Sequence, residues 1–331
     1  MRFGLHHRMY NGDIPLFLRR VEDVDRAGFS HVWLGDNVLL FPDTLVAMTL
    51  AAERSPQLTF GTGCTHVILR DPVLIAAAHA SIDLVAPGRV VCGIGSGDVL
   101  VHQLHVRPTP VASLRAAIVA IQKLTRGEAV VVDGTAVEMP WVARPIPVWL
   151  FAEGPRMLEM GGEVADGVLY GGGVSADVRA WASGRVAAGA RRAGRMPPPI
   201  WHACLVSIAR TTAEAREAIR LRLSNRARHN FLAAPELVPS QHRAEAERLI
   251  REFDFGLVRA ELNSAGERHA QLVTDFMIDR FAVAGTAEEV VRRLRELERE
   301  GVESVMVDLP RPSYDEHIRL FGEVIRPAVA A

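Results

Sequence analysis

The chain has 331 residues, of which 49% are hydrophobic, so it is long and apolar enough to bury a large core. Its 38 basic and 39 acidic residues nearly balance, which argues against nucleic acid or an anionic membrane as the main partner. No apolar run approaches the roughly 18 residues of a membrane span. The three cysteines show no CxxC spacing and the N-terminus has no signal-peptide pattern, so we expect a cytoplasmic protein with reduced thiols.

Short apolar runs alternate with segments of helical periodicity from end to end, as in α/β proteins. The predicted strands are residues 2–7, 31–36, 57–67, a run beginning at 90, then 147–154, 166–173, 200–209 and 302–310. The predicted early helices are residues 14–28, 43–55, 71–88 and 110–127. Asp71 is the expected N-cap of the third helix, with Pro72 in its first turn. A β-hairpin is expected over 129–139, turning at Asp133-Gly134.

Eight strand–helix units with apolar rather than alternating strands predict a closed parallel sheet that is buried on both faces. The fold prediction is therefore an α/β protein, a (β/α)8 TIM barrel that forms one domain over residues 1–331. The charged stretch 225–280 interrupts the rhythm, and we interpret it as a helical insertion over the barrel mouth before strand eight. This insertion is expected to shape a substrate pocket. Phe231, Phe253 and Phe255 are candidates to line it, with core packing as the favoured alternative.

The fourth strand ends in the stretch VVCGIGSGD, whose glycines raise the question of a dinucleotide site. A dinucleotide fingerprint needs a third glycine where Asp98 stands, and its helix must begin at once. In a barrel the same residues would lie at the carboxyl-end rim, where active sites are built. Gly95 would let a flat ring approach the backbone, and Asp98 would point into the mouth. A tight strand exit with a solvated Asp98 is an equally favoured alternative.

Other residues suggest chemistry less specifically. His6 suits proton transfer if it faces the lumen, while a hydrogen-bonded rim histidine is the favoured alternative. The H-x-x-H spacing of His102 and His105 lacks a third ligand, so we expect no metal site. Two arginine groups are expected to form solvated helix faces, with attraction of an anionic cofactor tail as the minority hypothesis: 185, 191, 192, 195 and 220, 222, 226, 228.

Several blocks resemble the luciferase-like flavin and deazaflavin oxidoreductases, and among them the coenzyme F420-dependent methylenetetrahydromethanopterin reductase group. The blocks are HVWLGDN, FGTGCTHVILRDPVLIAAAHASIDLVAPGRVVCGIGSGD, FAEGPRMLEMGGEVADGVLYGG and FAVAGTAEEVVRRLRELEREGVESVMV. The resemblance runs from residue 2 to about 310. It implies a barrel, usually a homodimer, that holds a flavin or deazaflavin in its mouth and acts on a small molecule.

The resemblance also implies roles for individual residues around the ring system. Asp36 matches an acid that contacts the ring, although Asn37 replaces the histidine usual in the deazaflavin enzymes. Gly63-Cys64 matches a bulge that often contains a non-proline cis peptide. Asp98 matches an acid near the reacting face, and His6 replaces a glutamate.

A second set of residues is implied to hold phosphate. Residues 152–156 open the fifth helix, where backbone donors favour an anion, although an ordinary helix start is the alternative. The members of this set are Ala152, Glu153, Gly154 and Pro155, together with the loop glycines Gly171, Gly172 and Gly173. For the three glycines by themselves, a flexible loop is an equally favoured alternative.

The functional prediction is an F420-dependent oxidoreductase that transfers a hydride between the deazaflavin and a C=N or C=C bond of a small organic substrate. Asp98 or His6 would move the accompanying proton. The alternatives are an FMN-dependent monooxygenase of the same superfamily, and a barrel that binds a flavin without catalysis.

Overall fold

The fold is known from a computed structural model, which describes residues 1–8, 12–97, 99–254, 267–311 and 313–330. Eight parallel strands close into a barrel. They are β1 (Arg2–His7), β2 (His31–Leu34), β3 (Thr59–Thr62), β4 (Val90–Ile94), β7 (Val148–Ala152), β8 (Gly167–Tyr170), β9 (Ile200–Ile208) and β11 (Ser304–Asp308). Each pairs in parallel with its neighbours, and β8 and β11 both pair with β9 to complete the ring. The predicted (β/α)8 TIM barrel is confirmed.

Helices surround the barrel. They are α1 (Ile14–Arg26), α2 (Thr44–Arg54), α3 (Pro72–Val85), α4 (Val99–Gln103), α5 (Val111–Leu124), α6 (Pro155–Val164), α7 (Ala176–Arg192) and α8 (Thr212–Ala233). Asp71 accepts a hydrogen bond from the Val73 amide at 2.8 Å and caps α3, with Pro72 in its first turn, as predicted.

The predicted hairpin is also confirmed and comprises β5 (Val130–Val132) and β6 (Thr135–Val137). Its turn residues Asp133 and Gly134 have φ angles of 48° and 79°. Two positive φ values are what a two-residue type I′ turn requires, so the local chemistry of Asp-Gly selects this connection.

The predicted helical insertion precedes strand eight. Its described helices are α9 (Arg243–Glu252), α10 (Glu267–Ala270) and α11 (Asp275–Phe281), after short 3-10 turns at Pro235–Leu237 and Ser240–His242. A strand that was not predicted, β10 (Ala282–Gly285), then pairs with Leu205–Ile208 of β9. The remaining helices are α12 (Ala287–Arg299), α13 (Tyr314–Leu320), the π-helical turn Phe321–Ile325 and α14 (Arg326–Ala330). Helix α8 runs unbroken through residue 225, where the insertion is predicted to start.

Three tryptophans fill the interior of the barrel and form the floor of its mouth. The ring centroids of Trp33, Trp149 and Trp201 lie 5.7 to 6.0 Å apart in all three pairings. Glycines on neighbouring strands make room for them, since a Cβ on Gly4 would lie 2.5 Å from the Trp201 ring. One on Gly167 would overlap the ring of Trp149. This packing closes the barrel below the mouth and leaves the strand ends for a site.

Candidate functional site

A cavity of about 880 Å³ lies at the carboxyl ends of the barrel strands. Its volume is that of a site for a cofactor and a small substrate. Leu169, Ala203 and Met306 form its base and pack on the tryptophan floor. Most of the predicted site residues line it: His6, Asp36, Asn37, Gly63, Cys64, Gly95, Ala152, Glu153, Gly154 and Gly171. Asp98 lies outside the described residues, so its role stays a prediction.

Asp36, at the exit of β2, lines the cavity with its carboxylate already bound. Its Oδ2 accepts from the Thr65 hydroxyl at 2.7 Å, and Arg70 donates to both carboxylate oxygens at 3.2 Å. The adjacent Asn37 is similarly committed, because its amide donates to Gln103 Oε1 at 2.8 Å and its Oδ1 accepts from a backbone amide. Both residues therefore hold the loops after β2 and β3 in place while presenting a wall to the cavity.

The backbone of β3 and β4 forms the next part of the wall. The Gly63–Cys64 peptide is cis, as the resemblance implied. The carbonyl oxygen of Gly63 accepts a hydrogen bond from His6 Nε2 at 2.8 Å. Across from it, a Cβ added to Gly95 would lie 2.7 Å from Cys64 Sγ, so only glycine leaves this surface open. The arrangement is a flat strip of main chain that a planar ring can approach.

Only part of the predicted phosphate site faces the cavity. Ala152, Glu153 and Gly154 line it where α6 begins, with Gly154 as N-cap, and Pro155 lies in the first turn of the helix outside the lining. The amides of a helix N-terminus attract anions, so this end of the cavity fits a phosphate group.

The glycine triplet divides between the cavity and the packing behind it. Gly171 lines the cavity, and a Cβ built there would overlap the Glu153 carboxylate and lie 3.1 Å from Arg226 Nη1. Gly172 and Gly173 face away from the lining and pack on Arg280, whose Nε donates to the Gly172 carbonyl at 3.3 Å. Gly173 has φ of 109°, which explains glycine there by backbone conformation.

Helix α8 supplies a whole side of the cavity; the sequence predicted only that residues from 225 onward would cover the mouth, with an anion-attracting role for the arginines as the minority hypothesis. Residues at helical spacing line it: Ala218, Leu221, Arg222, Asn225, Arg226 and His229. The expectation of solvated arginine faces is wrong for Arg222 and Arg226. Arg220 is also largely covered, at 23% exposed, and pairs with Glu217 and Asp275, whereas Arg192 in the first group is 51% exposed, as expected. The stripe of small and polar residues three and four apart was the available signal.

The first and last barrel strands bring together a buried charged cluster that no motif announced. Asp308 ends β11 and is 2% exposed; Arg222 Nε donates to its Oδ1 at 2.7 Å, and Arg222 Nη2 also donates to Oδ1. His6 Nδ1 lies 3.6 Å from Asp308 Oδ2, and Arg8 Nη2 lies 3.9 Å from the same oxygen. His6 thus faces the lumen, as its predicted role requires.

Electrostatics fix the charge states in this cluster. Burial, reinforced by the charge of Arg8, lowers the pKa of His6 to about 4, although Asp308 opposes the shift. Burial would raise the pKa of Asp308, but Arg222 and Arg8 outweigh it and hold that pKa well below its ordinary range. At neutral pH the pair is a neutral imidazole beside a carboxylate.

His66 also lines the cavity, without a hydrogen bond from its ring to another described residue. It is 4% exposed, burial lowers its pKa, and neither ring nitrogen has a hydrogen-bonding partner among the described residues. Phe253 lines the cavity, Phe231 is core, and Phe255 lies outside the described residues. Within the described ranges, no group of three or more His, Cys, Asp and Glu side chains could hold a metal ion.

None of the helices in the described part of the chain is both long and apolar enough to span a membrane.

Comparisons with known proteins agree on one family. The family described as luciferase-like monooxygenase matches residues 2–304. The 5,10-methylenetetrahydromethanopterin reductases of Methanolobus tindarius and Archaeoglobus fulgidus are each 28% identical to this chain. The first alignment covers 91% of this chain and 92% of the relative, and the second 99% of each.

Solved structures share the fold. A coenzyme F420-dependent tetrahydromethanopterin reductase from Methanopyrus kandleri has a TM-score of 0.76 at 22% identity, with 98% of each chain covered. An F420-dependent secondary alcohol dehydrogenase in complex with an F420-acetone adduct has a TM-score of 0.75 at 18% identity, covering 99% of this chain and 98% of the other. The family match over almost the whole chain and the shared barrel lead to one conclusion: this chain belongs to the luciferase-like monooxygenase family.

Proposed function

We propose that this chain is an F420-dependent oxidoreductase that transfers a hydride between the deazaflavin and a C=N or C=C bond of a small organic substrate. The observation that carries the proposal is the cavity with a main-chain wall at Gly63–Cys64 and Gly95 and an anion-binding end at α6. The F420-dependent reductases among its relatives support the choice of deazaflavin.

The residues present fit this cofactor. The strip at Gly63, Cys64 and Gly95 would take the face of the ring system, because a side chain at Gly95 would close it. The α6 N-terminus at Gly154 would take the phosphate together with Arg226, whose guanidinium lies beside Gly171. When bound, reduced F420 supplies the hydride and the oxidised form accepts it.

The protein's own part in the reaction is to exclude water and to accept and return one proton. His6 is neutral at pH 7, and its Nδ1 is directed at Asp308 in the cavity wall, so His6 can accept a proton there or return one. Asp98 is proposed as the second proton-transfer group on sequence grounds alone.

Turnover measurements test the assignment. Purified protein with reduced F420 should reduce members of a panel of imines and enones, followed by the change in deazaflavin absorbance. In Asp98→Asn, kcat should fall far more than the affinity for F420. An equal loss in both quantities would count against the proton-transfer role.

The runner-up is an FMN-dependent monooxygenase, because solved monooxygenases share this barrel, among them the long-chain alkane monooxygenase LadA at a TM-score of 0.71 and 13% identity. A barrel that binds a flavin without catalysis is the third possibility. Oxygen consumption with reduced FMN would identify the second, and turnover of any F420 substrate pair would reject the third.

We also propose that the chain, as one domain of residues 1–331, forms a homodimer through α2 and α3, which pack together. Large apolar side chains are exposed on these helices: Val46 (61%), Leu50 (36%), Leu74 (65%), Leu84 (55%) and Val85 (43%). Exposed apolar side chains on two helices that pack together favour a protein–protein contact there. Sedimentation equilibrium should show a dimer, and Val46→Glu with Leu74→Glu should yield a monomer.

A cytoplasmic location is proposed because the three cysteines, Cys64, Cys92 and Cys204, form no disulfide bond with one another. Reduced thiols are typical of that compartment. Fractionation of the source cells with an antibody against the chain would test this.

A further inference from the structure

His6 and Asp308 face each other in the cavity wall without a hydrogen bond between them. Nδ1 of His6 and Oδ2 of Asp308 are 3.6 Å apart, and both residues line the cavity. Nδ1 is buried and has no hydrogen-bonding partner among the described residues. A buried polar atom without a partner is costly, so this gap needs an occupant.

The tautomer of His6 follows from its other nitrogen. Nε2 lies 2.8 Å from the carbonyl oxygen of Gly63, which can only accept, so Nε2 carries the ring proton and donates it. A neutral imidazole has one such proton. Nδ1 therefore presents a lone pair to Asp308.

The orientation of Asp308 follows from Arg222. Two nitrogens of that guanidinium, Nε and Nη2, donate to the same carboxylate oxygen, Oδ1. Among the hydrogen bonds of the described residues none ends on Oδ2, and Arg8 Nη2 lies 3.9 Å from it. Oδ2 therefore also presents lone pairs to the cavity.

Two acceptors that face one gap are complementary to a donor. We propose that His6 Nδ1 and Asp308 Oδ2 form a two-acceptor subsite that binds an O–H or N–H group of the substrate, with Asp308 as a specificity-determining residue. The inference rests on the proposed function and deepens it, because it names the substrate group held beside the reacting bond. Arg222 is the positioning residue, since it turns Oδ2 toward the cavity.

The proposal makes a sharp prediction for Asp308→Asn. Arg222 only donates, so it will hold the amide oxygen of the new side chain and leave the amide nitrogen facing the cavity. One acceptor of the subsite then becomes a donor. The preference for a ligand that donates should become a preference for a ligand that accepts.

Cyclohexanol and cyclohexanone are suitable probes because they are similar in size but differ in hydrogen bonding. The hydroxyl group of cyclohexanol can donate a hydrogen bond, whereas the carbonyl oxygen of cyclohexanone can only accept one. Their dissociation constants are measured on the full-length protein by NMR, from the ring signals of His6 with 15N-labelled histidine, assigned with His6→Gln. The wild type should bind cyclohexanol about tenfold more tightly or better. Asp308→Asn should equalise or reverse this ratio.

Two variants separate this role from a structural one. Asp83→Asn is the matched control, since Asp83 is also buried and paired with an arginine, Arg144, but lies outside the cavity lining. It should keep the wild-type ratio. Arg222→Lys keeps a positive charge but not the forked contact, and should lower the preference for cyclohexanol.

Equal binding of the two probes by the wild type, failure of either to shift the His6 signals, or an unchanged ratio in Asp308→Asn would overturn the proposal. A parallel titration with F420 keeps the two ideas apart. If the protein does not bind F420 but the probe ratios are as expected, the subsite is supported and the cofactor assignment is rejected. If the protein binds F420 but the probe ratios are not as expected, only the subsite is rejected.

Discussion

The two sides of the cavity are built differently. The side formed by β2, β3 and β4 includes a strip of main chain at Gly63–Cys64 and Gly95, beside Asp36, which is tied into the loops behind it. The side formed by β1, β11 and α8 consists of charged side chains, with Asp308 and Arg222 at its centre. The first side can contact the face of a flat ring without reading its substituents. The second side can distinguish ligands by their hydrogen-bonding groups.

The difference shows where function can vary within one fold. A main-chain wall tolerates no added Cβ, so it changes little without losing the cofactor site. A side-chain wall can change one residue at a time while the backbone around it stays in place. The proposed function places cofactor binding on the first side, and the proposed subsite places substrate selection on the second.

The largest expected effect comes from breaking the charged side. Arg222→Met would leave Asp308 buried and without its main partner, which should lower the free energy of unfolding by about 3–5 kcal/mol. Urea denaturation measures this. Arg222→Met combined with Asp308→Asn should recover part of the loss, and a single-variant loss below about 1 kcal/mol would show that the pair does not organise this side.

The main-chain side should respond to one methyl group. Gly95→Ala places a Cβ against Cys64 Sγ, and overpacking of this kind costs about 1–3 kcal/mol. Denaturation together with F420 titration would detect both the destabilisation and the blocked surface. Cys64→Ala in the same chain should relieve much of the effect. Gly184→Ala in α7, with nothing within 4 Å of the new Cβ, should not destabilise the chain, because alanine favours a helix over glycine. An equal destabilisation there would refute the explanation.

Acid should weaken both sides through buried histidines. Burial lowers the pKa of His79, behind β3, and of His6 to about 4, from 6.5. Between pH 6.5 and 4 the unfolded chain binds a proton at each position and the folded chain does not. Stability therefore falls as the pH falls, by about 1.4 kcal/mol per pH unit for each histidine.

Urea denaturation at pH 5 and pH 6 tests this dependence. His79→Gln and His6→Gln should each reduce the slope by the contribution of one proton. Unequal reductions would show that position in the cavity, and not burial, sets the pKa of His6.

The smallest effect is expected at the phosphate end. Arg226→Met should weaken F420 binding roughly tenfold and reduce its dependence on salt, because a charge-assisted contact is lost. Arg210→Met is the control, since Arg210 is 92% exposed before α8. Unchanged F420 affinity in Arg226→Met would remove this residue from the cofactor site.

The features that could be predicted from the sequence are those determined by residues close together in the chain. Apolar periodicity predicted the barrel, Asp71 the start of α3, and Asp133-Gly134 the hairpin. Glycines at strand ends predicted the main-chain side of the cavity, although Gly172 and Gly173 proved to serve packing against the helical segment instead.

The charged side could not be predicted in the same way. Asp308 is the last residue of an apolar strand, where a solvated acid has the same sequence pattern, while its partner Arg222 lies 86 positions away within an arginine-rich helix. Neither has a motif, and only closure of the barrel beside α8 brings them together. Strand β10 was missed because it is only four residues long and follows α11 directly.

The central claim is that the main-chain wall and the anion-binding end at α6 together bind a deazaflavin. A fluorescence titration of the purified protein with oxidised F420, and separately with FMN, tests it most directly. The protein should bind F420 tightly and saturably and FMN weakly. The reverse preference would contradict it and assign the chain to FMN-dependent chemistry, and binding of neither would refute the cofactor site altogether.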